Sequence, residues 1–167
     1  MTDQKILIIG SGFAAAANLI HLVEAGIKPS QIIIVGPGQL GRGNAYGCDD
    51  DDFRLNVRAN LMWIWPDRRD DFGNWAKTHI TDDKDEMRRS GMFYRRRDFG
   101  RYVASRVDAV LAGAGDQDHA ITHYPQIVTK LGKIDQGGWQ AECSDGRLIK
   151  ADLVLLATGN PPPQWPC

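Results

Sequence analysis

The sequence predicts an α/β fold in which a parallel sheet with helices carries a small antiparallel β-meander, as one domain over residues 1–167. Three observations predict it. An apolar run, a glycine turn, an alanine-rich stretch and a second apolar run follow one another within about 30 residues, the length of a βαβ unit. Glycine-marked hairpins at Gly137-Gly138 and Asp145-Gly146 break the last third into short strands. A further aliphatic run, Leu153 to Ala157, follows them.

Lys5 to Gly10 reads as a buried strand, because four consecutive aliphatic residues are too few for a helix and end on a glycine. From Gly12 to Ala25, four alanines lead into Leu19, Ile20, Leu22 and Val23, a helical stretch that ends at Gly26, and Pro29 prevents its continuation. Gln31 to Val35 is rich in β-branched residues and stops at Gly36-Pro37-Gly38, as a second buried strand would. Parallel strands need such a crossover, which is almost always right-handed.

Residues 36–71 are irregular and glycine-rich, and they include the acidic run Asp49 to Asp52. A loop this long is uncommon unless it does something. The embedded Leu55, Val57, Leu61, Met62, Trp63, Ile64 and Trp65 predict an ordered loop that packs or binds. Phe72, Trp75 and Ala76 mark a short helix before a charged stretch, Asp82 to Arg89. Asp98 to Leu111 predicts a helix with Tyr102, Val103, Val107, Val110 and Leu111 on one side. Beyond it, Ile121 to Tyr124, segments near Ile127 to Ile134, Trp139 to Cys143 and Leu148 to Lys150, and the apolar run Leu153 to Ala157 read as strands, the last of them buried.

Composition narrows the function. Hydrophobic residues are 43% of the chain, charged residues 25%, and the net charge is -1, which argues against disorder and against a generally basic nucleic-acid binder. Cys48, Cys143 and Cys167 are odd in number and form no Cys-x-x-Cys pair, so no disulfide framework or cysteine zinc site is expected, and a reducing, cytoplasmic location fits. The N-terminal apolar run is far below the roughly 20 residues that span a bilayer, so no membrane partner is expected.

The strongest chemical signal is Gly10-Ser11-Gly12-Phe13-Ala14-Ala15, placed between the first strand and the first helix. In that setting the first glycine permits a tight turn and the second lets a pyrophosphate approach the backbone. Ala15 fills the third place, where a small residue lets helix and strand pack closely. The unpaired N-H groups and positive dipole end of the helix then favour phosphates without any charged side chain. An acidic residue is expected about 20 residues further on to accept from ribose hydroxyls, but the second strand ends Val35-Gly36-Pro37. Either other groups hold the ribose, or a different nucleotide binds, or the site is degenerate. The bland alternative is a glycine turn that binds nothing.

The order of motifs resembles the N-terminal part of the FAD/NAD(P)-binding oxidoreductases. The residues that carry the likeness are Gly41-Arg42-Gly43-Asn44-Ala45-Tyr46, Leu55-Asn56-Val57, Asp71-Phe72 with Trp75, Arg97 to Tyr102, Asp145-Gly146 and Ala151-Asp152 leading to Ala157-Thr158-Gly159. The broader relatives include flavin-dependent monooxygenases. The resemblance implies a Rossmann-like FAD/NAD(P)-binding domain, with FAD lying extended and its pyrophosphate over Gly10, Gly12, Phe13 and Ala14. It places the adenosine near Gly36 and Gly38, with main-chain groups at Ile127 facing the adenine. Arg42, Asn56, Thr158 and Gly159 would lie along the cofactor. It also implies NAD(P)H as reductant and a small-molecule substrate. Such enzymes continue into a second half beyond the Ala-Thr-Gly segment. The alternative is a non-catalytic nucleotide-binding or partner-dependent half-enzyme module, with a second copy or a second subunit over its open face.

Other clusters take blander readings. Met62, Trp63 and Trp65 wall a ligand or form core or interface. Arg88 to Arg101 carries six arginines and one aspartate, and Asp49 to Glu86 eleven acids and six bases, so the blocks are read as solvated or mutually paired faces. The sharper alternative has Arg95, Arg96 or Arg97 meeting a phosphate or an acidic partner. Histidines 21, 79, 119 and 123 lack metal-ligand spacing, Asp49 to Asp52 lack the ligand alternation of a calcium loop, and no serine or cysteine sits in a nucleophile motif.

Overall fold

The computed structural model describes residues 4–80, 93–113, 120–135 and 137–160. The charged stretch at 82–89, His119 and Cys167 lie outside them. The first strand, β1 (Ile6–Ile9), is followed by helix α1 (Phe13–Glu24) and β2 (Ile32–Val35). A short helical turn α2 (Gly43–Tyr46), then α3 (Asp71–His79) and the long α4 (Arg96–Gly113), lead to β3 (Thr122–Tyr124). The meander β4 (Val128–Lys133), β5 (Trp139–Cys143) and β6 (Leu148–Ala151) precedes β7 (Leu153–Leu156).

The four-stranded sheet runs β3-β2-β1-β7 with all neighbours parallel, and β4-β5-β6 form the antiparallel sheet. Alternation along β1 decides the layering. Ile6 and Ile8 face a cluster formed with Ala15, Ala16, Leu19 and Ile20 of α1 and Phe99, Tyr102 and Val103 of α4. Leu7 and Ile9 face the meander, against Ala141, Cys143, Ile149 and Ala151. With both faces covered, β1 and β2 read as continuous aliphatic runs, the pattern of a parallel sheet. An ion-pair anchor ties α3 to α4: Arg106 donates to both Asp71 oxygens at 2.8 Å, and Tyr102 Oη–H donates to Asp71 Oδ2 at 2.7 Å.

The long segment after β2 is ordered, as expected, and buries Leu55, Ile64 and Trp65. Trp65 is core rather than a ligand wall: its Nε1–H donates to Glu24 Oε2 at 2.8 Å, while Met62 and Trp63 are half-buried. One expectation is corrected. The strand β7 is not fully buried, since Leu153 is 50% and Leu156 69% exposed. Among the described residues it is the edge of the parallel sheet and pairs only with β1, which leaves one side of the strand uncovered there. No helix among the described residues is long and apolar enough to cross a membrane.

Candidate functional site

β1 is the central position from which the chain moves to β2 on one side and β7 on the other. Crevices outside the carboxyl ends of strands at such a reversal are where open α/β sheets bind ligands. A cavity of about 600 Å³ lies there, lined by Gly10, Ser11, Gly12, Phe13 and Ala14 from the first turn and Arg42 to Tyr46 from α2 and its approach. Pro37 and Ala157, Thr158, Gly159 and Asn160 complete it.

The two glycines of the first turn are glycine for different reasons. A Cβ on Gly10, at φ +124°, would overlap the Ala157 carbonyl oxygen and stand 2.6 Å from its carbon. Close β1–β7 pairing therefore demands a glycine there, whatever the site binds. Gly12 sits at φ -80° and ψ -164°, ordinary extended backbone, and among the described residues its Cβ would meet only the Gly43 Cα, at 3.7 Å. The fold tolerates a side chain at Gly12. What the glycine preserves is open backbone facing the cavity.

Among the described residues, that backbone ends in unpaired helix donors. The first intrahelical bond of α1 runs from Ala16 N to Gly12 O at 3.1 Å, no side chain caps the helix, and its first turn holds no acid. The preceding N-H groups are thus available to an anion, with the positive end of the helix dipole behind them.

A second glycine loop closes on the first. Gly41 N–H donates to Ser11 O at 2.8 Å, and a Cβ on Gly43 would stand 2.7 Å from Gly12 Cα. The buried Ser11 hydroxyl donates to Pro37 O, which ties the segment after β2 to the same turn. Phe13, Tyr46 and Phe99 form an aromatic floor, with ring centroids 6.4 Å apart for Phe13–Tyr46 and 4.8 Å for Tyr46–Phe99. Burial pushes the Tyr46 hydroxyl above its ordinary pKa, against the opposing charge of Arg96, so it stays a neutral donor.

Arg42 is the one charged side chain lining the cavity among the described residues. Its Nη2 donates to Asp49 Oδ1 at 2.7 Å, and this bond and charge hold the Asp49 carboxyl below its usual range. Asp51 faces Arg97 at 2.5 Å and Arg95 at 3.5 Å, and Arg96 Nε donates to Arg54 O at 3.0 Å. The acidic and basic blocks therefore pair with each other here, and the arginines 95, 96 and 97 are engaged with protein groups.

Of the residues singled out from sequence, the cavity brings together Gly10, Gly12, Phe13, Ala14, Arg42, Thr158 and Gly159. Ala15 lies beneath, fully buried in the close helix–strand contact. Gly36, Gly38, Asn56 and Ile127 do not line it. Gly36 ends β2 beside the turn, and a Cβ there would stand 2.5 Å from Gly10 C and Ser11 N, so the backbone leaves no room for a carboxylate. Its carbonyl accepts from His123 Nε2–H at 3.0 Å. Asn56 is exposed. The Ile127 N–H donates to Ser144 Oγ at 3.4 Å and its C=O accepts from Ser144 N–H at 2.8 Å. Sequence reasoning missed Ser11, Pro37, Gly43, Asn44, Ala45, Tyr46, Ala157 and Asn160 as lining residues. Four of these sit inside the Gly41 to Tyr46 motif, from which only Arg42 was singled out. No cluster of three metal-ligating residues occurs among the described residues.

A parallel sheet with a glycine turn feeding an uncapped helix at the strand-order reversal is a Rossmann-like dinucleotide-binding architecture. The sequence profile of the FAD-NAD(P)-binding family matches residues 7–161, and the chain belongs to that family. No curated protein sequence matches it. Among solved structures, OTEMO in complex with FAD and NADP superposes with a TM-score of 0.62 at 16% identity, over 98% of this chain and 27% of that one. The peptidyl tryptophan dihydroxylase QhpG, essential for tryptophylquinone cofactor biogenesis, gives 0.53 at 15% identity, over 98% of this chain and 34% of that one. The atypical thioredoxin reductase TRi from Desulfovibrio vulgaris Hildenborough gives 0.50 at 16% identity, over 96% and 38%. At these identities the likeness establishes the fold. The chain spans about a quarter of the length of the OTEMO structure.

Proposed function

We propose that this chain is the FAD-binding domain of a flavin-dependent oxidoreductase of monooxygenase type, with NAD(P)H as reductant. The observation that carries the reading is Gly12: a glycine that the fold does not require, at an uncapped helix start, opening on a cavity of about 600 Å³. Such a backbone fits a pyrophosphate. Membership of the FAD-NAD(P)-binding family supports the cofactor class, and the motif order over Gly41 to Tyr46 and Ala157 to Gly159 supports the flavin branch.

In this reading Gly12, Phe13 and Ala14 present N-H groups to the pyrophosphate, while Arg42 offsets its charge. Thr158, Gly159 and the Phe13–Tyr46 floor lie along the rest of the cofactor and exclude water. A bound flavin supplies hydride acceptance and oxygen activation, and the protein supplies position and electrostatics. A cytoplasmic location goes with this reading, in keeping with three cysteines that form no Cys-x-x-Cys pair.

Gly36 favours a second reading, a non-catalytic nucleotide-binding or partner-dependent half-enzyme module, because the carboxylate that normally holds the ribose is sterically excluded. Absorbance of the purified chain separates the two. The flavin reading expects a yellow protein, or a colourless one that turns yellow on FAD addition and gel filtration. A chain that stays colourless while binding ADP supports the module, and one that binds neither overturns both.

A further inference from the structure

Arg42 sets the charge that the cavity offers, so what holds its side chain decides which way that charge is presented. Its Nε donates to the Tyr46 main-chain oxygen at 3.5 Å and its Nη2 to Asp49 Oδ1 at 2.7 Å. A guanidinium is a planar fork of five N-H donors. Two bonds along one side therefore leave the remaining donors in a defined direction. Asp49 alone would be a loose anchor, because its side chain is 74% exposed, and isolated surface pairs contribute little.

It is not alone. The Asp49 main-chain oxygen accepts from Arg97 Nη1 at 2.9 Å. Arg97 Nη2 in turn pairs with Asp51 Oδ1 at 2.5 Å, and the second Asp51 oxygen faces Arg95, itself buried just before α4, at 3.5 Å. A line of charge contacts thus runs from the foot of α4 through the acidic loop to the wall of the cavity. The Asp49 main chain is thus held by Arg97, which keeps its carboxylate within reach of the Arg42 guanidinium.

We propose that Asp49 is a positioning residue for nucleotide binding: it holds Arg42 so that the free edge of the guanidinium meets the diphosphate of a nucleotide seated on the α1 turn. This deepens the function proposed above and rests on it. It also gives the acidic run after Cys48 a purpose that its composition alone does not reveal. Removing Asp49 takes a negative charge away from an anion site, so simple electrostatics expects tighter binding. Positioning expects the reverse.

The test is calorimetric titration of the whole chain with ADP and with FAD as probes, with the melting temperature monitored for every variant. Asp49→Asn weakens both ligands about tenfold, the order expected when a hydrogen bond to a charged group is misdirected. Asp49→Glu, which keeps the carboxylate on an exposed loop, restores affinity to within about threefold of wild type, and Asp49→Asn adds no further loss in an Arg42→Gln background. An Asn variant that binds as tightly as wild type, or tighter, overturns the proposal, as do additive losses in the double variant. If the wild-type chain binds neither probe, the proposed function fails and this inference with it. If wild type binds and the variants do not differ, only this inference fails.

Discussion

Replacing Gly12 by alanine adds one methyl group at a backbone position, φ -80° and ψ -164°, that any residue adopts. The new carbon meets a single neighbour, Gly43 Cα, at the ordinary contact distance of 3.7 Å. Loss of chain freedom in the unfolded state stabilises by about 0.4–1 kcal/mol, and the poorer helix start offsets a similar amount. Net stability should therefore change by less than about 1 kcal/mol, or about 2–4 °C in Tm for a chain of this size. Binding should change far more. The methyl stands where a pyrophosphate would approach, and losing two charge-assisted bonds to backbone N-H groups costs about 3 kcal/mol, roughly two decades in Kd. The bulkier Gly12→Val should abolish uptake. Gly10→Ala is the control, because its carbon overlaps the Ala157 carbonyl and the backbone sits at φ +124°. Strain and overpacking of that kind cost about 3 kcal/mol or more, so it should melt several degrees lower. FAD titration and thermal melts on the two variants read both quantities. A Gly12→Ala protein with wild-type affinity, or one destabilised as much as Gly10→Ala, would refute the division of roles.

Two further outcomes follow from the same geometry. Gly36→Asp installs the carboxylate that related sites use for the ribose, but its Cβ would stand 2.5 Å from Gly10 C and Ser11 N. It should lower Tm and weaken FAD binding, and tighter binding in that variant would show that the β2 end can move aside. Tyr102 is buried, and that burial, with its bond to Asp71, holds the hydroxyl far above its ordinary pKa. The native state then keeps a proton that the unfolded chain loses near pH 10, so this stability is intact below about pH 10 and falls as pH rises above it. Tyr102→Phe should cost about 1 kcal/mol at neutral pH and flatten the alkaline fall in urea unfolding free energy. An unchanged slope would exclude Tyr102 as its source.

Much of the fold was legible because the signals are local. Four aliphatic residues ending on a glycine, an alanine-led helix and a β-branched run specify β1, α1 and β2 without reference to the rest of the chain. The hairpin glycines likewise mark the meander. The buried reading of β7 failed because Leu153 to Leu156 looks the same as β1 in one dimension, while exposure depends on whether a strand has one neighbour or two. The cavity wall at Asn44 to Tyr46 was half legible: the motif stood out, but which of its side chains line a cavity depends on how α2 packs on α1 and α4. The bonds between Ile127 and Ser144 were equally out of reach of a one-dimensional reading, since the two residues stand 17 apart in the chain.

The βαβ start, the glycine turn at a helix N-terminus, the meander and the family can be read from the residues in one dimension. Those rest on backbone propensity and short-range spacing, which travel with the residues. Packing decided why Gly10 and Gly36 must be glycine and why Gly12 need not be, because that depends on whose backbone comes within a carbon's width. It also decided that the acidic run pairs with Arg42, Arg95 and Arg97, since charges far apart in the chain interact only where packing brings them within hydrogen-bond distance.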